Sequence, residues 1–290
     1  MQTLARRSGI LAVLGSAICF GTTGTTQQLG VPDISPVAVG SARLLCGSLF
    51  LFLFAYIQRS SRGSFRAPRT ELWICGFGVA MYQLTFFSAV HITGIAISTV
   101  TALGSVPTFS AIVAYFVLGE KPGKSWYLGT SVTVIGIILV GTASGIDSFK
   151  PLGIILAAFA GFGFAVFNVV SRKSLSRGAQ DIWLTATSFG IAALLTVPFL
   201  FAQNPEWILT RNGGLSVLWL GLVPTAIGYF FFTFGLKRID SSTAATVVLA
   251  EPATATILAA IVIGETLVAQ SYIGIAIVAL GILYISRAKL

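Results

Sequence analysis

Charge is what this sequence has least of. Asp, Glu, Lys and Arg make up 9% of its 290 residues, whereas a soluble domain carries about 25%. Histidine occurs once, as His91, and cysteine three times, at Cys19, Cys46 and Cys75, each in an apolar stretch. Three such cysteines give neither a disulfide frame nor a paired metal spacing and read as small buried hydrophobes. With one histidine there is no catalytic His pair and no metal cluster. The stretch "GEKPGKS" (119–125) is one residue short of a phosphate-binding loop and follows an apolar helix rather than a strand. No cofactor and no enzymatic activity are expected, so any transport would run on gradients rather than bound ATP.

Apolar residues fill the space that charge leaves, at 55% of the chain. They fall into ten hydrophobic segments near 8–28, 35–57, 71–91, 94–118, 126–143, 151–171, 182–202, 214–236, 241–263 and 270–286. Each can cross ~30 Å of hydrocarbon as a helix rising 1.5 Å per residue. A membrane barrel would need alternating strands of about ten residues, which the unbroken runs exclude. Arg6-Arg7 before an apolar run suggests a signal peptide, but the run continues into "TTGTTQQLG" without a convincing cleavage site and reads better as the first span. The expected fold is an all-α integral membrane protein of ten helices in a lipid bilayer.

The net charge of +9 raises the question of nucleic acid, and its distribution answers it. One set of segment ends carries Arg6, Arg7, Arg59, Arg62, Arg66, Arg69, Lys121, Lys124, Arg172, Lys173, Arg177, Lys237, Arg238, Arg287 and Lys289. The other carries only Lys150 and Arg211, and Arg43 lies inside a segment. That alternation is the positive-inside bias of a membrane protein. It predicts cytoplasmic termini in a multi-pass protein of the inner (plasma) membrane, with no nucleic-acid partner.

Sliding the chain by 145 residues aligns its halves without a gap. Phe86-Phe87 falls on Phe231-Phe232, Thr101 on Thr246, Pro107 on Pro252, Gly119-Glu120 on Gly264-Glu265, and Gly129 and Gly136 on Gly274 and Gly281. Five spans per copy is odd, so residues 1–145 and 146–290 would enter the membrane from opposite sides. The charges agree, since Arg172, Lys173 and Arg177 align with Gln27, Gln28 and Pro32. An inverted repeat of this kind holds substrate near the midplane between the copies and exposes it alternately to each side.

The stretches "ALGSVPTFSAIVAYFVLGEK" (102–121) and "LAEPATATILAAIVIGE" (249–265), with the glycines after them, resemble the drug/metabolite transporter superfamily. Within it the resemblance is to ten-span EamA-type exporters, the YddG-type aromatic amino acid exporters being the subgroup named first. It covers essentially the whole chain. It implies export of amino acids or similar small metabolites, and a central cavity built by the first four helices of each copy, here 8–118 and 151–263, with the fifth helices peripheral. A multidrug or lipophilic-cation exporter is the alternative within the class, and a passive channel is a second alternative.

Individual residues sharpen these expectations. Pro107 and Pro252 each lack an N–H and should bend their helices, as kinks that gate or shape a cavity or as static packing features. Glu251 lies about ten residues into its span, or ~15 Å deep, and Arg43 about eight, or ~12 Å. An ionisable group at such depth costs a few kcal/mol unless wet or paired. The two would therefore bind substrate charge or a coupling proton, or else hold helices together as a pair. Tyr82, Gln83, Asn168 and Tyr229 have polar tips that favour inward positions, and Phe86 shares a helix face with Tyr82. Other aromatics (Phe159, Phe162, Phe164 and Phe167) face either the cavity or lipid. The seven-residue spacing of Gly129 and Gly136, and of Gly274 and Gly281, suggests close helix packing, within a monomer by default or in a homodimer.

Overall fold

The computed structural model describes residues 2–58, 67–143 and 150–287. Among them ten helices are long and apolar enough to span a membrane, and there is no strand. They are α1 (Gln2–Gly30), α2 (Pro36–Ile57), α3 (Arg69–Thr93), α4 (Ile95–Leu118), α5 (Lys124–Thr142), α6 (Pro151–Ser176) and α7 (Asp181–Phe201). After a short 3₁₀ turn at Pro205–Leu209 come α8 (Arg211–Leu236), α9 (Ser241–Ile263) and α10 (Ala269–Arg287).

Local chemistry sets several of the ends. Pro36 and Pro151 open α2 and α6 at positions whose N–H would have no helical partner. The Thr210 hydroxyl accepts from the Gly213 N–H at 3.1 Å and caps α8. Gly119 and Gly264 end α4 and α9 in the left-handed region, at φ 69° and 82°, where a Cβ would be strained. In both places the next residue's N–H returns to the carbonyl six residues back. Glu120 bonds Ala114 and Glu265 bonds Ala259, each at 3.3 Å. The two Gly-Glu pairs are therefore one cap geometry used twice.

Packing follows a rule that holds on adding five to each helix number, counting round from ten to one. The main partner of α3 is α6, and α8 lies on α1; α4 lies on α6, and α9 on α1; α2 with α7, and α5 with α10, pair with their own counterparts. Glycines set how near the axes come. At Gly78 of α3 a Cβ would stand 2.7 Å from the Gly163 carbonyl oxygen of α6. Along α5 and α10, Gly129 faces Gly281 and Gly136 faces Gly274, so these four glycines are used inside the chain.

The prolines act unequally. The α4 helix runs unbroken through Pro107, whereas α9 leaves α geometry at Val248 and Leu249, just ahead of Pro252, and again as a π turn at Ala259–Ile263. The Val248 carbonyl, deprived of an N–H by Pro252, accepts instead from the Glu251 N–H at 2.9 Å. Helix α8 also has a π turn, Gly221–Ile227, around Pro224.

The core is aromatic where α6, α7 and α8 meet, beside α1. Phe167, Phe189, Tyr229 and Phe232 are buried there, Tyr229 lying 4.3 Å from Phe189 and 4.8 Å from Phe20 between ring centroids. Phe164 joins this cluster, while Phe159 and Phe162 point outward, 52% and 38% exposed, on a surface that suits lipid.

Candidate functional site

A vestibule of ≈ 990 Å³ opens at one end of the bundle, within the size range of small-molecule pockets. Its walls come from the last turns of α1 (Gly24, Gln27, Gln28), α3 (Phe86, Phe87) and α9 (Ala255, Thr256), the first turns of α2 and α4 (Pro36, Ile95), and Glu265. This is the end where α1, α3, α5 and α9 finish and α2, α4 and α10 begin.

The deep polar residues cluster below its floor. Tyr82 precedes the lining Phe86 by four residues and Glu251 precedes the lining Ala255 by four. Each therefore sits on the same helix face, ~6 Å deeper. Arg43, two turns into α2 from the lining Pro36, points its Nη1 at the Thr23 hydroxyl of α1, 3.5 Å away. Its Nε is buried without a hydrogen-bond partner. Arg43, Tyr82, Tyr229 and Glu251 all lie within electrostatic reach of one another. No ion pair joins Arg43 to Glu251 among the described residues. Gln83 packs its amide against Gly40 of α2, and its Nε2 is buried without a partner. An arginine and a glutamate thus lie within electrostatic reach of each other without a direct ion pair among the described residues, near two phenol rings and the Gln83 amide.

Two other sequence candidates lie elsewhere. Asn168 is fully buried on α6 and donates to the Ser110 hydroxyl of α4 at 3.1 Å and to the Ser241 carbonyl of α9 at 2.9 Å. It braces three helices toward the opposite end. Pro107 is buried in α4, apart from the cluster, while Pro252 adjoins Glu251 within it. His91 is exposed at the rim.

That opposite end is tied together by ion pairs which the sequence alone did not suggest. Buried Glu71, in the first turn of α3, meets Lys173 Nζ at 3.5 Å and Arg177 Nη1 at 3.2 Å, and accepts from the Ser174 hydroxyl. Glu120 meets Arg172 Nε at 3.5 Å and accepts from the Ser241 N–H at 3.3 Å. Lys237 pairs with Asp181 at 3.0 Å, and Arg172 also donates to the Leu236 carbonyl at 3.0 Å. Burial, then repulsion from Asp240, pushes the Glu120 carboxyl up from its ordinary range, against the opposing pull of Arg172. An acid in the first turn of a helix is ordinary in any sequence, so Glu71 gave no signal; only the fold brings α6 beside it.

Comparison with known proteins agrees with this architecture. The sequence pattern of the EamA-like transporter family matches the chain twice, over residues 7–142 and 151–287. A protein named "Uncharacterized transporter YwfM" from Bacillus subtilis (strain 168) is 36% identical over 282 residues, covering 96% of this chain and 93% of the relative. An "Uncharacterized transporter" from Archaeoglobus fulgidus is 25% identical over 284 residues, covering 96% of this chain and 98% of the relative. A crystal structure superimposes with a TM-score of 0.83 at 20% identity, over 97% of this chain and 98% of that one, which shows the fold. The chain is a multi-pass membrane protein that belongs to the EamA-like transporter family.

Proposed function

We propose that this chain is a secondary carrier exporting amino acids, aromatic ones among them, or similar small metabolites by alternating access across the inner membrane. The observation that carries the reading is the unpaired couple of Arg43 and Glu251 below the vestibule. An isolated charge at this depth is costly. An amino acid brings a carboxylate for Arg43 and an ammonium for Glu251 on one small frame, while Tyr82 and Phe86, stacked at 5.6 Å, offer a face to planar side chains. A lipophilic cation would satisfy Glu251 and leave Arg43 repelled.

Alternation is supported by the 145-residue register, the doubled family match and the exchange of helix pairs on adding five. On this reading residues 1–145 and 146–290 form two inverted copies, the ion-paired end faces the cytoplasm, and the structure is open outward. A counterflow screen of the twenty amino acids in proteoliposomes tests it. Saturable exchange of zwitterionic amino acids is the expected result. Flux that does not saturate would indicate a channel, and exchange restricted to cations a drug carrier.

A further inference from the structure

The two Gly-Glu caps put Glu120 and Glu265 at equivalent places, yet among the described residues only the Glu120 carboxylate has a partner. Glu120 holds Arg172 at 3.5 Å and the Ser241 N–H at 3.3 Å across the closed end. In the 145-residue register those partners become Gln27 and Ala96. Gln27 and Glu265 both line the vestibule, and no hydrogen bond joins them among the described residues. We propose that Gln27 and Glu265 are the contact that closes the vestibule end, with the Ala96 N–H as second donor to Glu265, when the bundle opens at its other end.

The proposal rests on the inverted-repeat reading above and adds a prediction about bias. The closed end is held by a guanidinium on a carboxylate, and its counterpart would be held by a neutral amide on a carboxylate. Charge-assisted bonds in which both groups are ionised are the stronger. Lys173 on Glu71 has no such counterpart either, because its register partners are Gln28 and Ser216. The asymmetry favours the form open at the vestibule, which is the form seen.

The register also supplies its own control. Gln27→Arg gives Glu265 the partner that Glu120 already has. Gln28→Arg adds the same charge one residue along, at the counterpart of Lys173, where the residue matching the acid Glu71 is Ser216. The readout is sided maleimide labelling of two reporters in full-length protein with Cys19, Cys46 and Cys75 replaced. Thr256→Cys reports the vestibule, and Ser110→Cys lies fully buried toward the other end. Gln27→Arg should lower labelling at 256 and raise it at 110 by about threefold or more, Glu265→Gln should cancel the shift, and Gln28→Arg should leave both rates unchanged. Equal shifts from the two arginines, or none from Gln27→Arg, would overturn the pairing.

A second measurement needs no added charge. Gln27→Cys with Glu265→Cys should cross-link on oxidation, faster when Arg172→Gln loosens the opposite end; folded protein that never cross-links also overturns the proposal. Amino acid counterflow is measured in the same vesicles. Reciprocal labelling without exchange would reject the substrate reading and support the gate, whereas exchange without reciprocal labelling would do the reverse.

Discussion

Thr23, Arg43 and Glu251 occupy registers that are, in the other half of the chain, Asn168, Ser188 and Val106. The first three are partly exposed around the vestibule floor, and the second three are fully buried. Helix order, caps and partners match between the halves, so topology does not dictate the polarity. Among these six positions, charge without an ion-pair partner stands only in the partly exposed set, because a fully buried charge without a partner loses its hydration for nothing. The buried set serves chain packing, and on the proposed function the partly exposed set, drawn from both halves, serves ligand.

The harshest way to break this comparison is to exchange the chemistry. Val106→Glu puts a carboxylate into a fully packed position, at a cost of about 3 kcal/mol or more, and should abolish recovery of folded protein from detergent. Glu251→Val removes a charge from a wet site and should leave the protein folded and inactive. Comparable thermal stability for the two variants would mean that the two sets of positions do not differ as described.

A gentler pair of changes separates the roles of the charges. Arg43→Gln and Glu251→Gln should each raise the half-saturation for amino acid counterflow tenfold or more, equivalent to at least about 1.4 kcal/mol of binding. If Glu251 exchanges a coupling proton instead of holding the ammonium, Glu251→Gln would keep counterflow and lose only gradient-driven accumulation. If the two residues chiefly support each other, the double variant should be more stable than either single one.

Much of this organisation can be read from the sequence. The ten spans show because long apolar runs have few other uses, and the repeat shows because prolines, glycines and glutamates coincide in one register. Which face of each helix turns inward is much harder to read. When nearly every residue is apolar, periodicity names no buried side, so Phe164 and Phe159, five residues apart, could not be sorted. Asn168 turns inward as its polar tip requires, but its Nδ2 bonds two other helices and its Oδ1 is buried without a hydrogen-bond partner, an arrangement that only the fold reveals. The ion pairs of Glu71 and Asp181 join residues distant in the chain and leave no local pattern.

Aromatic selectivity gives a smaller effect. Tyr82→Ala removes a ring stacked on Phe86 beneath the vestibule and should weaken exchange of aromatic amino acids several-fold more than that of alanine. Tyr229 is wedged among Phe20, Phe167 and Phe189, so Tyr229→Ala should also destabilise the fold, by about 3 kcal/mol. Tyr229→Phe, which keeps the packing, isolates the hydroxyl. Equal loss for aromatic and aliphatic substrates in Tyr82→Ala, at unchanged protein level, would remove that ring from selectivity.

The smallest expected effect compares the two prolines. Pro107 lies in a helix that runs through it unbroken, so Pro107→Ala should restore one backbone hydrogen bond and shift stability by about 1 kcal/mol, with exchange rate unchanged. Pro252 follows a turn in which the Val248 carbonyl already accepts from the Glu251 N–H at 2.9 Å. An alanine there offers that carbonyl a second donor and lets the turn at Val248 and Leu249 rewind into α-helix. Rewinding would rotate Glu251 relative to the vestibule and stiffen the point where α9 can bend. Pro252→Ala should therefore slow exchange several-fold while leaving half-saturation within about twofold, read as the maximal rate and half-saturation of counterflow beside thermal unfolding in detergent. If the two alanine variants behave alike, the break in α9 is a packing detail, and the difference between the halves lies in their side chains alone.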